Sequence, residues 1–111
     1  MVQAKPDFGE LPILLYDEKH TAHRVRLGDK AAFKIIGEGG IWQSIIVQVD
    51  ETEITIESDH CVASGAQVIL SPPDYWQQGR VNHALAQCVC AVQNGRDVAY
   101  SIELKILYFM N

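Results

Sequence analysis

The sequence predicts an all-β protein: one six-stranded antiparallel β-barrel with a short N-terminal arm. Three observations carry that expectation. Strand-length runs with period-two alternation recur at short spacing. The breaks between them are rich in Gly, Asn, Asp and Pro, and no stretch shows a long helical period or an internal repeat. Short strands joined by tight turns bury their apolar faces as a small barrel or sandwich.

The chain opens on a polar arm, Met1 to Glu10, with Pro6 and Gly9. Leu11 to Tyr16 is a short apolar run whose Pro12 lacks an amide donor, which suits an edge strand or a packed extension. Asp17 to His23 follows as a polar connector. Residues 1–18 are therefore taken as arm and edge segment, and 19–111 as the barrel domain. Val25 and Leu27 start the main β signal, a turn follows at Gly28-Asp29-Lys30, and Ala31 to Ile36 is closed by the Gly37 to Gly40 cluster.

Ile41 to Ser58 reads as a complete hairpin. Ile45, Val47 and Val49 alternate with Ser44, Ile46 and Gln48 on the way in. Ile54 and Ile56 alternate with Thr55 and Glu57 on the way out, around the break Asp50-Glu51-Thr52-Glu53. One face of this ribbon must be buried, since an isolated hairpin is marginal in water. A turn at Asp59 to Gly65 leads to a strand from Ala66 to Leu70, stopped by Pro72 and Pro73. Tyr75 and Trp76 sit in the loop beyond. Arg80 to Gln93 has some helical character in its Ala-Leu-Ala-Gln stretch, but the Val-Cys-Ala-Val run and the Asn94-Gly95 turn favour a long strand. Asp97 to Tyr108 alternates Val98, Tyr100, Ile102, Leu104 and Ile106 against polar partners and closes a second hairpin about Asn94 to Asp97.

With 111 residues, 48% hydrophobic and 21% charged, the chain is sized for one core. Its net charge of −5 argues against non-specific binding to DNA or RNA, which needs a surplus of Lys and Arg. Five of the nine basic residues nevertheless gather at Lys19, Arg24, Arg26, Lys30 and Lys34, with His20 and His23 among them. Acids gather at Asp50, Glu51, Glu53, Glu57 and Asp59, and such segregation can steer a small anion to one end of a molecule. A solvated basic face is the plainer explanation, with Arg24 and Arg26 flanking the barrel and pairing with Asp50 or Glu51.

Cys61, Cys88 and Cys90 are an odd number, and an extended chain puts Cys88 and Cys90 on one face, poorly placed to bond to each other. Free thiols in a reducing compartment fit best. The N-terminus shows no apolar signal core and no run approaches a membrane span, so a cytoplasmic protein without membrane insertion is expected. His60, Cys61, His83, Cys88 and Cys90 are metal-ligand types, but Cys88-Val89-Cys90 is a C-x-C pair on a strand rather than the turn-borne pairs of a structural zinc site. No metal or cofactor is expected. Nor is an enzyme, because a nucleophile loop, a metal motif and a nucleotide cradle are all missing.

Three separate pieces, read together, carry a resemblance. Lys19-His20-Thr21-Ala22-His23-Arg24 resembles the R-R-x-x-x-R segment of PilZ domains, the bacterial receptors for cyclic di-GMP, with Arg24 at one arginine position and His20 and Lys19 at others. Val49-Asp50-Glu51-Thr52 resembles the start of that family's second motif, (D/N)-x-S-x-x-G, with Thr52 for serine and Thr55 where glycine is usual. The strand order, Glu57-Ser58-Asp59 after the hairpin and the closing Ile106 to Phe109 run are also similar, so the likeness spans Lys19 to Phe109.

The resemblance implies a PilZ-type barrel that binds cyclic di-GMP, with Arg24, Lys19 and His20 on phosphates and guanine faces and Asp50 and Thr52 on guanine edges. Lysine and histidine lack the guanidinium fork, and the absent glycine alters a pocket wall. An alternative expectation is an adaptor of the same fold that works without nucleotide and docks a protein partner through Tyr75, Trp76 and the Leu11 to Tyr16 edge.

Overall fold

The computed structural model describes residues 13–71, 83–94 and 99–110. These form eight strands: β1 (Ile13–Tyr16), β2 (Ala22–Val25), β3 (Lys30–Ile35), β4 (Trp42–Asp50), β5 (Glu53–Ser58), β6 (Gln67–Ser71), β7 (His83–Gln93) and β8 (Tyr100–Met110). Six of them close into a barrel in the order β3-β4-β5-β8-β7-β6, with β3 pairing β6 to complete the ring. All pairings are antiparallel, and no helix occurs among the described residues.

Closure follows from the alternation. Ile102, Leu104 and Ile106 of β8 and Ile54 and Ile56 of β5 point inward and are fully buried, alongside Phe33, Ile46 and Val68. On β7 the inward positions are the small Ala84 and Ala86, which leave room for the large side chains opposite. The helical alternative for Arg80 to Gln93 is thus set aside: from His83 the segment is strand, paired on both edges.

The first half of the barrel corrects the expected face of the central hairpin. The register between β4 and β5 shifts between Ile46 and Gln48, so a β-bulge holds the extra residue Val47. Because side chains alternate with period two, one inserted residue exchanges the faces. Ser44 and Ile46 are therefore buried while Ile45 is exposed, and only beyond the bulge does Val49 turn toward the core. Buried Ser44 is satisfied by donating its hydroxyl to the Ala31 carbonyl at 2.6 Å.

A second bulge overturns the expectation that Cys88 and Cys90 share a face. The β7–β8 register shifts between Cys88 and Cys90, so Cys88 pairs with inward Leu104 while Cys90 pairs with outward Glu103. Cys88 is buried, Val89 is exposed, and all three cysteines are free thiols.

The strand carrying Val25 does not join the barrel. It pairs instead with β1 in a separate two-stranded ribbon, Ile13 opposite Val25 and Tyr16 opposite Ala22. The inward face of the ribbon carries Leu15 and Val25, both members of the common core. Its outward face carries Leu14, Tyr16, Ala22 and Arg24. The Tyr16 amide donates to the Glu51 carbonyl at 2.8 Å and so fixes the ribbon on the β4–β5 turn.

No helix of the described residues is long and apolar enough to cross a membrane. Pro12, Tyr75, Trp76 and the Gly95 to Asp97 part of the last turn lie outside the described residues.

Candidate functional site

The connector between β1 and β2 is built around Asp17. This buried carboxylate accepts through Oδ1 from the amides of Lys19 at 2.9 Å and Thr21 at 2.8 Å. Through Oδ2 it accepts from the Phe109 amide at 3.2 Å. Its own amide donates to the Thr21 carbonyl, and the His20 amide donates to the Asp17 carbonyl. Such an Asx-type loop needs one residue turned back on itself, and His20 takes that role with φ of 62°.

The β4–β5 turn has the same feature, with Glu51 at φ of 48°. His20 and Glu51, both in the left-handed region that non-glycine residues seldom occupy, line one cavity of about 300 Å³ together with Tyr16 and Thr52. Strained backbone of this kind persists where its surroundings over-determine it, and it concentrates at ligand sites. The Tyr16 and His20 rings meet edge to face at 6.1 Å. The cavity wall thus offers two rings, a carboxylate and a hydroxyl, which suits a flat polar heterocycle better than a bare anion.

The predicted site residues divide. His20 and Thr52 come together in the cavity. Arg24 is exposed on the outward face of the ribbon, the face that also carries Tyr16. Lys19 points elsewhere, its ammonium 5.4 Å from the centre of the Tyr108 ring. Asp50 is exposed opposite Glu53 at the mouth of the turn and does not line the cavity. Tyr75 and Trp76 lie outside the described residues. The Asp17 to His23 connector is held by the chain's own bonds, including the Lys105–Glu18 ion pair at 3.6 Å.

Tyr16 and Glu51 were not foreseen. Tyr16 closes an apolar run that read as an edge strand or packed extension and, in the adaptor alternative, as a docking edge, but not as a ligand contact. Glu51 read as part of a polar break, and no local signal marks a glutamate as the residue that will adopt positive φ. A larger groove of about 490 Å³ crosses the outer face at Lys30, Gln43, Ile45, Glu57 and Asp59, but it contains none of the residues singled out for ligand binding. Among the described residues no group of three or more His, Cys, Asp or Glu side chains converges as a metal site.

Neither a family model, nor a curated protein, nor a solved structure matches the chain.

Proposed function

We propose that this chain is a PilZ-like signalling domain that takes cyclic di-GMP at the cavity between the connector and the β4–β5 turn. The observation that carries the proposal is convergence: His20 from the first resembling segment and Thr52 from the second share one cavity, although two barrel strands, β3 and β4, separate them in sequence. The Tyr16 and His20 rings take a guanine face, while Thr52 and, at the mouth, Asp50 take its polar edge. Arg24, on the adjoining outward face, receives the phosphates through its guanidinium fork. Lys19 adds charge only by leaving the Tyr108 ring. In this reading the domain performs no catalytic step, works in the cytoplasm and passes its signal to a separate protein partner.

Isothermal titration with cyclic di-GMP at low and at physiological salt tests this. Binding that weakens as salt rises, and that Arg24→Ala removes while the fold survives, is the expected result. Absence of heat at high ligand concentration overturns it.

Two observations favour a second reading, a nucleotide-independent adaptor of the same fold. Glu51 brings a carboxylate into the cavity that opposes phosphate, and Leu14 is exposed beside Arg24 on the outward face of the ribbon. In that case Leu14→Glu breaks a partner complex and leaves stability within about 0.5 kcal/mol, as for most surface changes.

A further inference from the structure

The β7 bulge that parts Cys88 from Cys90 also selects a thiol pair. Cys88 Sγ, inside the barrel, is directed at the Val62 carbonyl oxygen at 3.7 Å. Cys61 Sγ, on the β5–β6 loop, is directed at the same oxygen at 3.8 Å. The loop is strapped to β7 at this point: Gly65 donates its amide to the Cys88 carbonyl, Cys88 returns its amide to the Ala66 carbonyl, and the Ser64 hydroxyl reaches the Val89 carbonyl at 2.8 Å. Cys90 is engaged elsewhere, by a hydrogen bond to Glu103 that raises its pKa. Two sulfurs from distant parts of the chain thus meet at one acceptor, one exposed and one buried.

We propose that Cys61 and Cys88 form a reversible disulfide on exposure to a peroxide. The thiolate of exposed Cys61 attacks a peroxide oxygen. The O–O bond breaks, the sulfur is oxidised to a sulfenic acid, and the departing oxygen leaves as water. Cys88 Sγ then attacks the Cys61 sulfur, the S–O bond breaks, and a second water leaves with the Cys88 proton. The peroxide takes up the two electrons that the two thiols lose. Cys61 acts first because it is exposed, whereas burial, aided by Cys90, Cys61 and Glu103, pushes the Cys88 thiol up to about 11. Cys61 is exposed on the β5–β6 loop, and the bond requires its side chain to rotate from the shared acceptor toward Cys88. The bond ties the β5–β6 loop to β7.

The full chain is treated with hydrogen peroxide, quenched and weighed intact, then digested without reductant. The expected product is a monomer lighter by two hydrogens whose cross-linked peptides contain Cys61 and Cys88, restored by dithiothreitol. Cys90→Ser gives the same product. Cys61→Ser does not, and Cys88→Ala leaves a Cys61 sulfenic acid that dimedone traps. If Cys88→Ala fails to fold, the wild-type peptide map decides alone. A cross-link that includes Cys90, one between two chains, or oxidation of Cys61 to the sulfinic acid with no cross-link overturns the proposal.

Discussion

Asp17 holds the backbone of Phe109 across 92 residues, its Oδ2 accepting the Phe109 amide at 3.2 Å while Oδ1 takes the amides of Lys19 and Thr21. One carboxylate thereby fastens the connector that presents His20 to the last barrel strand. Bonds to an ionised acceptor are worth about 1.5–3 kcal/mol, and burial makes their loss fall on unpaired donors. Asp17→Ala is expected to lower stability by about 3 kcal/mol in urea unfolding. Asp17→Asn, which keeps one acceptor, is expected to lose roughly half of that. An unchanged midpoint for the alanine variant would mean that the connector stands without its carboxylate.

The bulge at Val47 makes a sharp distinction between neighbours. Ile46 is 0% exposed and Ile45 is 45% exposed. Truncating Ile46 to alanine leaves a cavity in the barrel and costs about 3 kcal/mol, whereas Ile45→Ala stays within about 0.5 kcal/mol. Comparable losses at both positions would contradict the register.

His23 supplies a pH dependence. It packs on Phe109 with ring centres 5.6 Å apart, and burial holds its pKa below the ordinary 6.5. The unfolded chain then binds a proton more readily than the folded one, so this contribution is present above 6.5 and is lost as the pH falls below it. The urea midpoint is expected to drop between about pH 7.5 and pH 5.5, and His23→Gln to flatten that drop. An equally steep dependence in the variant would assign it to other groups.

Much of the barrel was legible because β5, and β8 as far as Ile106, obey period two, so Ile54, Ile56, Ile102, Leu104 and Ile106 could be placed inward from their spacing alone. The bulges were not legible. Valine at 47 and 89 fits a regular strand as well as a bulge, and only pairing with the neighbouring strand decides, as it does for the exposed Ile45 and the outward Cys90. The partner of Val25 was hidden for a similar reason: its strand and β1 are short, and their pairing is fixed by the Asp17 loop and by Leu15 and Val25 entering the core. Of the residues lining the candidate cavity, His20 and Thr52 are ones the resemblance singles out. Glu51 was not, since its place in the cavity follows from a backbone conformation that glutamate does not favour.

The claim that the connector and the β4–β5 turn form one binding site is tested most directly by an NMR titration of nitrogen-labelled protein with cyclic di-GMP. The expected result is saturable shifts concentrated at the amides of Tyr16, His20, Arg24, Glu51 and Thr52, with the far end of the barrel around Val62 unmoved. Unchanged spectra at high ligand, or shifts confined to the outer groove at Lys30 and Glu57, would contradict it.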